Sequence, residues 1–183
     1  MADTEPPHRS GSAEGAGDAP PFRVGNGLDF HRLIDDAARP LMIGGVEIPG
    51  GLALKGHSDA DVLLHALADA MLGALGLGDI GEFFPDTDSR YKNLDSREII
   101  DFVLKEVKRK NYRVGNVDVT LIGERPKITP HKAAIRGSLA AMLGIAIDQV
   151  GCKATTTEKM GALGRSEGLG CLAGVLLLRT SPE

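Results

Sequence analysis

The chain has 183 residues, a net charge of −4 and a hydrophobic fraction of 42%. This length suits a single domain with its own core, and the absence of tryptophan predicts that the core is aliphatic. The acidic balance, without basic residues interleaved with aromatic ones, argues against nucleic-acid binding. No apolar run approaches the roughly 18 residues of a membrane span.

The cysteines and the first residues indicate the compartment. Cys152 and Cys171 have no metal-ligand spacing, which predicts free thiols in a reducing cytoplasm. Residues 1–21 are rich in Pro, Gly, Ala and Ser and predict a disordered tail. They lack the apolar stretch of a secretory signal and are too acidic for a transit peptide. We therefore expect one cytoplasmic domain over residues 22–180.

The predicted elements include both strands and helices along the whole domain. The first half of the chain is predicted to contain a strand over residues 22–31, a loop over 32–40, a hairpin over 41–48, a helix over 58–75 and a loop over 76–87. The second half is predicted to contain a helix over 96–110, a strand over 112–122, a loop over 125–130, a helix over 131–143, and strands over 150–155 and 170–179.

Single residues and composition add to this prediction. Gly25 and Gly27 are expected to loosen the first strand, and Ser58 is expected to cap the first helix. The last strand is nearly all apolar, which predicts cover on both faces. The order predicts an α+β domain, a small mixed sheet with three main helices packed on it.

Asp29, His31 and His65 are the most informative candidate ligands. Asp29 and His31 are two residues apart in the first predicted strand, so their side chains share a face, and His65 lies on the first predicted helix. One carboxylate and two imidazoles suit Zn²⁺ or a similar transition metal, and three protein ligands leave one position for substrate, as in catalytic sites. The alternative is a surface carboxylate with two hydrogen-bonded histidines.

The helix that carries His65 offers further polar groups. Asp61 and Asp69 lie four residues to either side of His65, and either is a candidate to hold its second ring nitrogen. The alternative is a solvated polar stripe. His57 and Ser58 precede the helix, where unpaired N–H groups and the helix dipole favour phosphate, with plain capping by Ser58 as the alternative.

Two loops suit a substrate with hydroxyl and phosphate groups. The acidic loop over residues 78–88 can hydrogen-bond a polyol while Phe84 covers it, or it is a turn whose aspartates cap local N–H groups. The loop over residues 155–161 combines three threonines with Glu158 and Lys159. These groups suit a diphosphate and a Mg²⁺-type ion, with a threonine-rich turn as the alternative.

Four of these segments make the chain resemble the 2-C-methyl-D-erythritol 2,4-cyclodiphosphate synthase family, over about residues 22–179. They are residues 25–31, 56–65, 78–88 and 153–168. The resemblance implies a phosphorus–oxygen lyase of the non-mevalonate isoprenoid pathway. It would convert 4-diphosphocytidyl-2-C-methyl-D-erythritol 2-phosphate to the 2,4-cyclodiphosphate and CMP by metal-assisted intramolecular phosphoryl transfer. It also implies a homotrimer with active sites between neighbouring subunits.

The resemblance assigns roles to individual residues. It implies a zinc-type ion on Asp29, His31 and His65, and a second ion, Mg²⁺ or Mn²⁺, held with help from Glu158. It places His57 and Thr156 in the phosphoryl transfer. The implied substrate-binding positions are Asp29, His31, His57, Ser58, Asp79, Ile80, Gly81, Phe84, Pro85, Asp86, Thr87, Asp88, Pro126, Lys127, Ile128, Thr129, Thr155, Thr156, Thr157, Glu158, Ala162 and Arg165.

Three further positions bear on ligands of the family. Ala162 stands where many relatives carry an aromatic residue, and Arg165 and Glu167 match positions that hold an isoprenoid diphosphate in a central cavity of the trimer. Two other activities are compatible with the residues. A metal-dependent sensor of a nucleotide or isoprenoid diphosphate would release no CMP, and a zinc phosphohydrolase would yield free phosphate instead of a cyclic product.

Overall fold

The computed structural model describes residues 19–56, 58–85, 87–91 and 94–180. Its strands are β1 (Phe22–Asp35), β2 (Leu41–Ile43), β3 (Val46–Ile48), β4 (Leu52–Lys55), β5 (Tyr112–Ile122), β6 (Val150–Thr155) and β7 (Gly168–Arg179). Five of them form one sheet in the order β4-β1-β7-β5-β6, and β2 pairs with β3 in a separate hairpin. Within the large sheet β5 and β6 run parallel and the other neighbours antiparallel. The sheet is therefore mixed, as predicted.

Three long helices and two single-turn helices accompany the sheet. They are α1 (Val62–Leu75), α2 (Ile80–Phe83), α3 (Ser96–Arg109), α4 (Lys132–Leu143) and α5 (Gly161–Gly164). The long helices α1, α3 and α4 confirm the three predicted helices and the α+β class. Among the residues that the structure describes, no helix is both long and apolar enough to cross a membrane.

Helix α1 lies directly against β1. A Cβ built on Gly25 would lie 1.9 Å from the carbonyl oxygen of Ala70, and one on Gly27 would lie 2.0 Å from that of Ala66. Real Cβ contacts are never this short, so only glycine permits the approach. The expectation that these glycines loosen the strand was wrong, because β1 runs through them and continues to Asp35.

The apolar core lies between the sheet and the long helices. Every residue of α1 except Asp69 and Gly73 is buried. The spacing predicts an apolar stripe on α3. Four of its members, Ile99, Ile100, Val103 and Val107, are buried, and the fifth, Leu104, is half-buried. The core is aliphatic, as the composition predicts, with Tyr112 as its one buried aromatic residue among those the structure describes.

Two boundaries differ from the predictions because tertiary contacts decide them. Residues 32–35 were expected in a loop but extend β1, since β4 pairs with them. Strand β4 itself was not predicted, because its four residues are too few for a pattern. Helix α1 begins at Val62 instead of residue 58, since the N-cap is Asp61 and not Ser58.

The second face of the sheet is apolar and exposed in the single chain. Its exposed side chains are Phe22, Val24, Leu28 and Phe30 of β1 and Leu172 of β7. On the opposite face of β7, Cys171, Ala173, Val175 and Leu177 are buried. The expectation that β7 is covered on both faces therefore fails for an isolated chain.

Candidate metal centre and substrate cleft

Asp29, His31 and His65 converge at one point. Strand β1 projects Asp29 and His31 from the face that α1 covers, and His65 lies one turn into α1. The Oδ2 atom of Asp29 lies 3.0 Å from Nε2 of His31 and 3.2 Å from Nδ1 of His65. One ligand atom from each residue lies within 4.8 Å of the others. The predicted three-residue group is therefore present, and its donors could hold a metal ion.

The remaining polar atoms of the Asp29 and His31 side chains have hydrogen-bond partners outside the group. Oδ1 of Asp29 accepts a hydrogen bond from the N–H of Phe30 at 2.8 Å. Nδ1 of His31 lies 3.1 Å from the carbonyl oxygen of Lys55, which can only accept, so that nitrogen carries the proton. Nε2 of His31 then presents a lone pair to the cluster. A backbone carbonyl is a common outer partner of a metal-bound imidazole.

The cluster shifts the pKa values of two of its members. Burial acts to raise the pKa of Asp29, but hydrogen bonds and attraction to His31 and His65 outweigh it and hold the pKa well below its usual range. Burial acts to lower the pKa of His31, but the hydrogen bond and the charge of Asp29 raise it above its usual value. In the metal-free protein the carboxylate therefore stays ionised and favours a proton on His31.

Asp61 and Asp69 do not hold the His65 ring, which corrects the prediction for both. The buried carboxylate of Asp61 accepts hydrogen bonds from four backbone N–H groups, those of Gly44, Gly45, Leu63 and Leu64, at 2.7 to 3.1 Å. Asp69 accepts from the N–H of Ile80 at 2.8 Å. The first ties the hairpin to α1, and the second ties the acidic loop to α1.

Two serines contact the outer nitrogen of His65 instead. Oγ of Ser96 lies 3.0 Å from Nε2 of His65, and Oγ of Ser58 lies 3.3 Å from it. Ser58 was predicted near the site but Ser96 was missed. One signal could have found it: Ser96 falls three residues before Ile99 on the apolar stripe of α3, a position where a polar side chain needs a buried partner.

A cleft of about 790 Å³ opens beside His31, Ser58 and His65. The acidic loop supplies Ile80, Gly81, Phe84 and Pro85, four of the predicted substrate-binding positions, to its lining. The Phe84 ring packs against Tyr91 and Phe102, each with centroids 5.2 Å from its own. The cleft therefore combines the candidate metal ligands with a fixed apolar wall.

The carboxylates of this loop are engaged locally. Asp79 accepts from the N–H of Gly81 at 2.9 Å, and Asp88 pairs with Arg90. Local capping, the alternative weighed for this loop, is therefore present at both residues. Thr87 is exposed, whereas His57 and Asp86 lie outside the described residues.

A second cavity, of about 220 Å³, brings together two of the predicted binding loops. Its lining includes Pro126, Lys127, Ile128, Thr129, Thr155, Thr156 and Glu158. The hydroxyl of Thr156 donates to the carboxylate of Glu158 at 3.2 Å, and the backbone of Glu158 has a positive φ of 51°. Thr157 donates to the carbonyl of Met160 and does not line the cavity. The two loops therefore meet at this cavity.

Among the described residues of the single chain, the two cavities share no lining residue. Glu158 is exposed and does not join the Asp29, His31 and His65 group. Ala162 is exposed in α5. Arg165 forms an exposed ion pair with Glu167 at 2.6 Å. In the described ranges, one chain thus brings some of the predicted site residues together in two groups, whereas Thr87, Thr157, Ala162 and Arg165 line neither cavity.

Comparison with known proteins gives a consistent result. A model of the YgbB family matches residues 22–178. A curated relative from Leptospira borgpetersenii, named 2-C-methyl-D-erythritol 2,4-cyclodiphosphate synthase, is 55% identical over 158 residues, which cover 86% of this chain and 98% of that protein.

Solved structures agree with the sequence match. The bifunctional IspDF from Campylobacter jejuni is 41% identical with a TM-score of 0.83, and the match covers 87% of this chain and 43% of that one. IspF from Plasmodium falciparum, in a complex with CDP, is 33% identical with a TM-score of 0.77, and the match covers 87% of this chain and 97% of that one.

Proposed function

Because the chain belongs to the YgbB family, we propose that it converts 4-diphosphocytidyl-2-C-methyl-D-erythritol 2-phosphate to 2-C-methyl-D-erythritol 2,4-cyclodiphosphate and CMP. The observation that carries this proposal is the Asp29, His31 and His65 group at the wall of the 790 Å³ cleft. The activity makes the chain a phosphorus–oxygen lyase of the non-mevalonate pathway. The cytoplasm remains its predicted location.

The reaction needs little proton chemistry. An oxygen of the 2-phosphate forms a bond to the β-phosphorus, the bond from that phosphorus to the bridging oxygen breaks, and CMP leaves with the electron pair. The attacking oxygen is already anionic, so no strong base is needed. The difficulty is to bring two anions together, which positioning and compensating charge overcome.

The donor set suits a zinc-type ion. One carboxylate oxygen and two imidazole nitrogens lie within 4.8 Å of one another, and backbone carbonyl and hydroxyl partners already orient both rings. When bound, such an ion supplies positive charge and a fixed coordination site for phosphate oxygens. His31 and His65 would hold it through Nε2 and Nδ1, respectively.

The remaining site residues bind different parts of the substrate. Ser58 in the first cleft and His57, which lies outside the described residues, bind phosphate, while Phe84 and its loop, residues 79–88, enclose the erythritol. In the second cavity, Thr155 and Thr156 contact the diphosphate, and the loop that contains Pro126 and Lys127 receives the cytidine. Thr157, which does not line this cavity, stays a predicted contact of the diphosphate. Glu158 would help to hold a Mg²⁺ or Mn²⁺ ion, which would supply positive charge for the diphosphate. The CDP complex of the Plasmodium relative supports a cytidine nucleotide as ligand.

The active site forms between neighbouring subunits of a homotrimer. Two observations support this: the two cavities of one chain have no lining residue in common within the part of the chain that the structure describes, and β1 and β7 carry an exposed apolar face that includes Leu28 and Phe30. An apolar face of this kind marks an interaction surface. Arg165 and Glu167 would face a central cavity able to take an isoprenoid diphosphate.

Mass spectrometry of the product, with metal analysis of the same preparation, tests the activity. The wild-type protein with substrate and Mg²⁺ should release CMP and a cyclic diphosphate. His65→Ala should lose most of the tightly bound metal and most of the activity while remaining folded. His131→Ala, a histidine distant in sequence from this group, should retain both.

Other outcomes contradict the proposal in recognisable ways. Substrate binding without CMP release would indicate a sensor of nucleotide or isoprenoid diphosphates. Free phosphate in place of the cyclic product would indicate a zinc phosphohydrolase. Full activity and metal content in His65→Ala would remove the basis of the mechanism.

A further inference from the structure

The two ring nitrogens of His65 face different partners. Nδ1 lies 3.2 Å from Oδ2 of Asp29 and 3.1 Å from Nε2 of His31, on the side where the candidate ligands meet. Nε2 lies 3.0 Å from Oγ of Ser96, on the opposite side of the ring. His65 is only 7% exposed and Ser96 is fully buried, so water cannot readily replace this contact.

Asp59 fixes the direction of the Ser96 hydroxyl. The hydroxyl of Ser96 donates to Oδ1 of Asp59, and the N–H of Ser96 lies 3.3 Å from Oδ2 of the same carboxylate. An ionised carboxylate only accepts hydrogen bonds, so the single hydroxyl proton of Ser96 points towards Asp59. A lone pair of Ser96 Oγ is then left to face Nε2 of His65.

This direction sets the tautomer of His65. A lone pair on Ser96 requires a proton on Nε2, and a neutral imidazole with a proton on Nε2 carries its lone pair on Nδ1. Nδ1 is the nitrogen that faces Asp29 and His31. Ser58 makes the weaker contact with this nitrogen, because its Oγ lies 3.3 Å from Nε2, compared with 3.0 Å for Ser96.

We propose that Ser96, oriented by Asp59, is a positioning residue that holds His65 in the tautomer needed to bind the metal through Nδ1. The inference rests on the proposed metal centre and adds two residues that touch neither metal nor substrate. It also ties the first turn of α3, which carries Ser96, to a site otherwise built from β1 and α1.

Zinc affinity, measured by competition with a chromophoric chelator, tests this role directly. Ser96→Ala should bind zinc about 10- to 100-fold more weakly than the wild-type protein, the usual effect of losing an outer partner of a metal-bound histidine. Asp59→Asn should also weaken binding, though less than Ser96→Ala, because an amide can donate as well as accept and no longer forces the Ser96 proton away from His65. Ser96→Thr keeps the hydroxyl and should restore most of the affinity.

Two control variants separate this role from a structural one. Asp95→Ala removes the N-cap of α3, whose carboxylate accepts from the N–H of Arg97, and should lower the melting temperature without changing zinc affinity. Ser138→Ala changes a helical serine of α4 and should change neither. The ¹⁵N shifts of the His65 ring in the zinc-loaded protein should show a protonated Nε2 and a metal-bound Nδ1.

Each contrary result has a distinct meaning. A wild-type protein that takes up no zinc overturns the metal centre and, with it, the role of Ser96. Equal zinc affinity in the wild type and Ser96→Ala, with binding abolished in His65→Ala, overturns the role of Ser96 alone. Zinc bound through Nε2 of His65 in the ¹⁵N spectrum also overturns it.

Discussion

Nε2 of His31 and Nδ1 of His65 lie 3.1 Å apart, so the two histidines meet through different ring nitrogens. Two lone pairs at this distance repel each other unless a proton or a cation lies between them. The Asp29 carboxylate, 3.0 and 3.2 Å from these two nitrogens, adds a negative charge at the same point. The arrangement favours a bound cation, and protons compete with it.

Competition with protons predicts how metal binding depends on pH. The pKa of His31 is raised by Asp29 above its usual value near 6.5, and the pKa of Asp29 is lowered. In the metal-free protein, His31 therefore contributes stability that is full below about pH 6.5 and is lost as pH rises through its raised pKa. The contribution of Asp29 is present above its usual pKa and is lost as pH falls towards the lowered value.

Because the metal must displace the proton on His31, zinc affinity should fall as the pH drops from 8 to 5.5. The rise in melting temperature caused by zinc should shrink over the same range. Titration of the metal-free protein by NMR should show a raised pKa for His31 that returns towards its usual value in Asp29→Asn. A pH-independent zinc affinity would contradict this prediction.

The contact between Gly27 and α1 predicts that one added methyl group at this position will strongly lower the free energy of unfolding. A Cβ at Gly27 would lie 2.0 Å from the carbonyl oxygen of Ala66, so Gly27→Ala must push α1 away from β1 and should cost about 3 kcal/mol or more in unfolding free energy. Gly137→Ala in α4 is the matched control. Its Cβ would meet no atom within 4 Å, so the stability should be unchanged or slightly raised. Chemical denaturation measures both, and equal effects would contradict the close approach.

Asp61 predicts a second large effect on stability. Asp61→Ala would leave the buried N–H groups of Gly44 and Gly45 unpaired and remove the N-cap of α1, a loss of about 3 kcal/mol in unfolding free energy. Asp95→Ala removes one exposed cap and should cost about 1 kcal/mol. Denaturation curves of the two variants compare these losses. Similar values would mean that the hairpin contacts of Asp61 contribute little.

The exposed face of β1 predicts the effect of a charge on assembly. Leu28 is 53% exposed in the single chain, and Leu28→Asp should convert the proposed trimer to monomers and abolish the activity. Ile147 lies outside the sheet and is 51% exposed, so Ile147→Asp adds the same charge at a matched apolar site and should leave the trimer intact. Sedimentation velocity gives both masses. A monomeric wild-type protein would contradict the intersubunit site.

Much of the fold and of the metal centre follows from local patterns. The three long helices and the strands at residues 112–122 and 150–155 carry clear periodicities, and the two-residue step from Asp29 to His31 places both side chains on one face of β1. The position of His65 on a helix follows from the helical periodicity of the residues around it. The prediction that these three residues bind a metal depended only on the chemistry of their donor atoms.

The features that could not be predicted from the sequence depend on contacts between segments that are distant along the chain. Residues 32–35 form a strand because β4 pairs with them, and Asp61 rather than Ser58 caps α1 because the hairpin at Gly44 and Gly45 supplies two further donors. The contacts of Ser96 with Asp59 and with His65 span 37 and 31 residues of sequence, respectively. Hydrogen-bond direction and close approach are properties of three-dimensional packing, so local periodicity specifies the elements while only the tertiary structure decides which polar groups meet.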